Sequence, residues 1–199
     1  MTRDEAYTLM TEMLQNRNLQ KHGLAVEVIM KALCKYLRQK NTDRKERVSD
    51  EEFDEEEWAI VGLLHDADYE LVEKDPARHT LVTEEKLREI GGVSDRIING
   101  IKAHHDLVKP DRENLMEKSI FAADELAGLI TAVTLVRPDK KLSSVDVDSI
   151  MKKFPQKNFA AGANRDQILA CEKELNIPLQ EFVGIALKAM QGISDELGL

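Results

Sequence analysis

The stretch VGLLHDADYE, residues 61–70, places three polar groups at the end of an apolar run. His65 and Asp66 follow the two leucines directly, and Asp68 comes two residues later. Burying such groups costs free energy unless other atoms in the fold satisfy them. The rest of the sequence therefore has to supply partners for this turn.

The segments around this turn have the three- and four-residue apolar spacing of amphipathic helices. The long apolar segment 115–136, for example, is stopped by Arg137-Pro138. Ser49 and Glu52 have the spacing of a capping box, which predicts a helix beginning near Phe53. Because strand-like alternation is nearly absent, we predict an all-α fold with helices over residues 4–16, 19–38, 53–66, 76–92, 94–106, 115–136, 143–153, 164–175 and 178–197.

Length and composition indicate one globular domain over residues 1–199, with 42% hydrophobic and 33% charged residues. No apolar stretch approaches the roughly 18 residues of a membrane span, so we expect no membrane association. The acidic N-terminus does not resemble a targeting peptide, and Cys34 and Cys171 lack paired spacing. These features favour a cytoplasmic protein. The net charge of −9 argues against general nucleic-acid binding.

The histidines lie in the first 105 residues, and the predicted helices carry them toward one another. A single aspartate also interrupts the apolar run SIFAADELAGLI. A shared metal ion would remove the cost of burying these groups, and imidazole with carboxylate suits iron, manganese or zinc. Each group alone is more often a hydrogen-bonded structural residue. The candidates are His22, His65, Asp66, His79, His104, His105 and Asp124.

A histidine on one helix, a His-Asp pair about forty residues later and a lone aspartate on a later helix resemble the HD-domain metal-dependent phosphohydrolases. The resemblance covers roughly residues 18–135 and implies a helical bundle around a buried metal site. The helices over 143–197 are then expected to pack on this bundle or cap it. The resemblance implies four metal ligands, which are His22, His65, Asp66 and Asp124.

Two further histidines match HD subfamilies that bind two metal ions. His79 and His104 fall between the His-Asp pair and the final aspartate, and Asp66 would then bridge the ions. Both could instead lie behind the ligands or contact substrate. His105 resembles the second member of a His-His pair and is either a ligand or a neighbour of one. The implied cofactor is one or two divalent transition-metal ions: Fe, Mn, Zn, Co or Ni.

The narrower resemblance is to small, stand-alone HD hydrolases of unassigned substrate. It rests on NLQKHGLAVEVIMKAL, GLLHDADYE, FAADELAGLI and the later KKFPQKNFAAGANR. The glycine-tyrosine-proline signature of cyclic dinucleotide phosphodiesterases is missing, which speaks against that activity. The lysine that often follows the His-Asp pair is also absent, because Asp68-Tyr69-Glu70 stands there.

The implied function is a phosphomonoesterase or phosphodiesterase that uses metal-activated water on a nucleotide or another small phosphorylated metabolite. Asp66 and Asp68 are the predicted catalytic residues, although Asp68 could equally orient a ligand or simply end a helix. The alternative function is an HD-fold binding or regulatory protein with little turnover. The sequence does not indicate an oligomeric state.

A basic segment follows the resembling region, with seven basic and three acidic residues between Arg137 and Arg165. We predict that four of its side chains bind the substrate phosphate: Lys152, Lys153, Asn164 and Arg165. The small residues at 160–163 would let the backbone approach a ligand closely. The alternative is an exposed loop whose lysines serve solubility.

Overall fold

Helices build the computed structural model, which describes residues 1–41, 47–73 and 75–199. No β-strand occurs in these ranges, so the predicted all-α fold is confirmed. None of the helices found there is long and apolar enough to span a membrane. In chain order the helices are α1 (Arg3–Met13), α2 (Arg17–Asn41), α3 (Glu55–Leu64), α4 (Leu81–Ile90), α5 (Asp95–Lys102), α6 (Leu115–Leu135), α7 (Val147–Lys153), α8 (Arg165–Ile168), α9 (Ala170–Leu175), α10 (Leu179–Gln191) and α11 (Ser194–Leu197).

The start of α3 differs from the capping box that the sequence predicts at Ser49 and Glu52. Ser49 instead caps a short 3₁₀ turn over residues 50–52. Asp54 is the N-cap of α3, and its carboxylate accepts hydrogen bonds from two backbone N–H groups of the first turn. Residues 42–46 of the predicted polar connection before this helix lie outside the described residues.

Helix α2 is the central element, packed against α3, α6 and α10. Its buried face includes Ile29, Met30 and Leu33, each fully removed from solvent. On α10, Phe182 and Val183 are also fully buried. The helices that follow residue 143 therefore contribute to the same hydrophobic core as α2.

Helices α2 and α3 cross at a close approach made by two glycines. A Cβ atom at Gly62 would come within 2.7 Å of the Val26 carbonyl oxygen, and one at Gly23 within 2.9 Å of the Leu63 carbonyl oxygen. Real side chains do not tolerate such contacts with backbone atoms. Because Gly23 follows His22 and Gly62 precedes His65 by one helical turn, this crossing brings the two histidines together.

Candidate metal centre

Four of the candidate histidines, His105 among them, lie just outside helices rather than inside them. The structure places His65 immediately after the last residue of α3 and His79 in the turn before α4. His104 follows the end of α5 by two residues. The predicted helices over 53–66, 76–92 and 94–106 were therefore too long at these ends.

One group of side chains joins α2, the end of α3 and α6. It consists of His22, His65 and Asp124. The Nε2 atom of His22 lies 2.8 Å from Oδ1 of Asp124, and Nε2 of His65 lies 3.4 Å from the same oxygen. Three ligand atoms therefore converge within metal-binding range of one another.

A second group lies beside the first and consists of Asp66, His79 and His104. Oδ1 of Asp66 lies 3.1 Å from Nε2 of His79 and 3.6 Å from Nε2 of His104. Both histidines are only 5% exposed. This group therefore combines a carboxylate with two nearly buried imidazoles.

Asp66 faces both groups with different oxygens. Its Oδ2 atom lies 3.5 Å from Nε2 of His65 and 3.9 Å from Nε2 of His22. Its Oδ1 atom faces His79 and His104. A carboxylate in this position can give one oxygen to each of two ions.

The hydrogen bonds of the Nδ1 atoms determine which nitrogen of each ring faces the site. Nδ1 of His65 donates to the Gly62 carbonyl at 2.8 Å, and Nδ1 of His104 donates to the Ile101 carbonyl. A carbonyl oxygen can only accept, so in each neutral ring the proton is on Nδ1. The Nε2 atoms of these rings therefore present lone pairs to the site.

The donor set fits a metal ion. The Nε2 atoms of His79 and His104 lie 2.9 Å apart, and the Nδ1 atoms of both rings are already engaged. In the neutral rings two lone pairs would face each other, and a positive charge between them removes the repulsion. Within the described part of the chain, the fully buried Nε2 of His65 also has no hydrogen-bond partner. In the neutral ring, a metal ion would give this buried nitrogen a partner.

The electrostatics of the groups follow from their shared burial. Burial opposes charge on Asp66, but the neighbouring imidazoles, His65 first among them, hold its pKa well below the usual range. The pKa of Asp124 is lowered in the same way by His65 and His22, again against burial. Burial alone would lower the pKa of His65, yet the two carboxylates raise it to about 9. The site thus contains two anionic carboxylates that require nearby positive charge.

Asp68 lies behind the second group and does not line the cavity. It is fully buried, and Oδ1 accepts a 2.8 Å hydrogen bond from Nδ1 of His79 and one from the Thr80 N–H. Oδ2 accepts from the Thr83 N–H. Oδ1 therefore holds His79 in orientation and Oδ2 holds the start of α4, which matches the orienting alternative for Asp68, while its catalytic role stays a prediction.

A cavity of about 730 Å³ opens above the two groups. Its walls include Leu19, Tyr69 and Leu107, and the small residues Ala160 and Gly162 close one side. Among the described residues that line it, none is lysine or arginine. Any positive charge that these residues present to a substrate comes from the histidines and from bound metal.

The four predicted phosphate-binding residues do not line this cavity. The guanidinium of Arg165 donates to the carbonyls of Phe154, Phe159, Ala160 and Ala163, so it holds the loop together. The remaining three face elsewhere: Asn164 caps α8, Lys153 donates to Gln156, and Lys152 is exposed. The loop reaches the cavity through its small residues, and a phosphate contact from these four side chains stays a prediction.

His105 lines the cavity but belongs to neither group. Its ring packs edge-on against His79, with ring centroids 5.5 Å apart. Burial, with the neighbouring His104 and His79, lowers the pKa of its imidazole. His105 therefore faces the cavity beside the candidate ligands.

Two residues of α6 line the cavity although the sequence-based reasoning did not identify them. Glu125 follows Asp124 directly, and Gly128 lies one helical turn beyond Asp124 on the same face. The four-residue spacing from Asp124 was a usable signal for Gly128. Glu125 Oε2 also accepts a hydrogen bond from the Asn164 N–H, which ties the loop to α6.

Comparison with known families supports the arrangement. A sequence model described as HD domain matches residues 19–129, more than half of the chain, and this range contains both groups. No curated protein and no solved structure matches the chain.

Proposed function

We infer that this chain, which belongs to the HD-domain family, is a metal-dependent phosphohydrolase. The observation that carries the proposal is the position of Asp66, with one oxygen toward each group of ligands. A carboxylate placed between two groups in this way suits two ions that act together on one phosphoryl group. Family membership supports metal-dependent hydrolysis in general, and the geometry supports the two-ion form.

Each group supplies ligands for one ion in this proposal. His22, His65 and Asp124 hold the first, His79 and His104 hold the second, and Asp66 contributes to both. Bound divalent metal lowers the pKa of its water toward about 7 and offsets charge on phosphoryl oxygens. No protein nucleophile is required.

The cavity supports a substrate of nucleotide size. Its volume of about 730 Å³ lies within the range of small-molecule sites. Tyr69 and Leu107 offer apolar surface near the candidate ligands, and Leu107 is 73% exposed at the mouth. We therefore propose a phosphomonoester or phosphodiester of a nucleotide or another small metabolite, with the phosphate at the metal centre.

The test is reconstitution followed by turnover. Metal-stripped protein is incubated with Mn²⁺, Fe²⁺ or Zn²⁺ and assayed on nucleoside monophosphates, p-nitrophenyl phosphate and bis(p-nitrophenyl) phosphate. We expect hydrolysis that requires metal, that a chelator stops and that Asp66→Ala abolishes. Asp148→Ala is the matched control, since Asp148 is exposed on α7, and it should retain full activity.

Two outcomes would contradict the proposal. Full activity of Asp66→Ala would make the His-Asp pair structural. Retained metal with no turnover of any monoester or diester would instead favour the binding or regulatory alternative. Circular dichroism of each variant separates loss of chemistry from loss of fold.

A further inference from the structure

A second cavity of about 370 Å³ adjoins the metal-centre cavity. His22 and Gly128 line both cavities, so the two spaces meet at these residues. The walls of the second cavity also include Asn18, Lys21, Thr131 and Leu135. A molecule bound at the metal centre can therefore extend past Gly128 into this space.

Gly128 has no structural requirement for being glycine. It lies within α6, and a Cβ atom built there would meet nothing within 4 Å. Glycine inside a helix is destabilising relative to alanine. The open space above Gly128 is the junction of the two cavities, and a side chain there would narrow it.

Lys21 gives the second cavity a positive charge. Its side chain contacts the end of α11, where a Cβ atom at Gly198 would come within 2.8 Å of the Lys21 Nζ atom. Across the described residues, no carboxylate lies within ion-pair distance of this ammonium group. A cation without an ion-pair partner, beside a centre that would hold metal, is suited to an anionic ligand group.

The second cavity also exposes apolar surface. Leu135 is 49% exposed, and its side chain lines this space. A ligand that covers this surface is stabilised by the apolar area it removes from water. The cavity therefore combines a lysine ammonium group with an apolar wall. This combination suits an organic anion that also carries an apolar part.

We propose that the second cavity binds the alcohol part of the substrate, and that this part carries a second anionic group contacted by Lys21. The proposal rests on the proposed function, since it places the scissile phosphate at the metal centre. The proposed substrates are therefore phosphoesters whose leaving alcohol carries an anionic group at the end away from the phosphate. Gly128 is the specificity-determining residue at the junction.

The experiment measures binding rather than turnover. Alkylphosphonates and ω-phosphonocarboxylates of increasing chain length are titrated calorimetrically into Mn²⁺-loaded protein, because their P–C bonds resist hydrolysis. When the ligand is long enough to span the junction, we expect the ω-phosphonocarboxylate to bind about tenfold more tightly than the alkylphosphonate of the same length. Lys21→Ala should remove this preference, and Lys31→Ala, at an exposed position on the same helix, should retain it.

A second variant tests the junction. Gly128→Leu should abolish the preference, because its side chain would fill the junction, and the helix should tolerate leucine at this exposed position. The proposal is overturned if no chain length shows the preference, or if the preference survives Lys21→Ala. If the preference is found but no phosphoester is hydrolysed, the second cavity stands as a ligand site and the hydrolase proposal fails.

Discussion

Two aspartates separated by one residue have different surroundings. Asp66 faces the cavity between the two ligand groups, whereas Asp68 is buried behind His79. The sequence pattern predicted both as functional but could not separate them. Two of the partners of Asp68 are backbone N–H groups of Thr80 and Thr83, and the turn that aims them is not visible in composition or periodicity.

Asp68→Asn tests the positioning role. Asparagine keeps the shape but places an NH₂ group against a donor, either His79 or the Thr83 N–H. We expect affinity for the second ion to fall about 10–100-fold while the first group retains its ion. Competition with a calibrated chelator measures this, with Asp148→Asn as the control. Unchanged affinity for both ions would show that His79 does not depend on Asp68.

At the scale of elements, the α2–α3 crossing joins ligands that are distant in sequence. Periodicity predicted which face of α2 is apolar, but not that Gly23 and Gly62 let the two backbones touch. Close approach depends on the partner helix, and a single segment does not reveal its partner. The same limit applies to Arg165, whose carbonyl partners are set by the path of the loop.

Gly62→Ala tests the crossing. Its Cβ atom would lie 2.7 Å from a backbone oxygen, so the helices must separate. We expect a loss of about 1–3 kcal/mol in the free energy of unfolding, measured by urea denaturation, with weaker metal binding. Gly184→Ala is the matched control on α10, where the nearest atom lies at 3.8 Å, and it should be neutral or stabilising. Equal stability of both variants would contradict the close-approach argument.

Arg165→Ala tests the loop. Removing the guanidinium leaves four backbone carbonyls without their donor, so amides of residues 156–163 should exchange with deuterium faster. Metal content should not change, because Arg165 contacts no candidate ligand. Lys152→Ala should leave the exchange as it is in the unmodified protein. Metal loss in Arg165→Ala would instead place this residue in the centre itself.

At the scale of the whole molecule, the HD-type pattern correctly predicted the helical bundle. The structure places the six ligand candidates together in two adjacent groups. The walls of the cavity were harder to predict, since they come from both the matched region and the later loop. Gln167 of α8 donates to the His104 carbonyl at 3.4 Å, which links that later region to the centre. Spacing within single helices does not report such long-range contacts.

The central claim is a centre for two ions bridged by Asp66, and elemental analysis of purified, metal-reconstituted protein tests it most directly. We expect two transition-metal ions per chain in the unmodified protein. We expect one ion in His79→Ala, because this variant keeps the first group intact. Circular dichroism should show the same helical content for both proteins. One ion or none in the unmodified chain, after addition of manganese or iron, would contradict the claim.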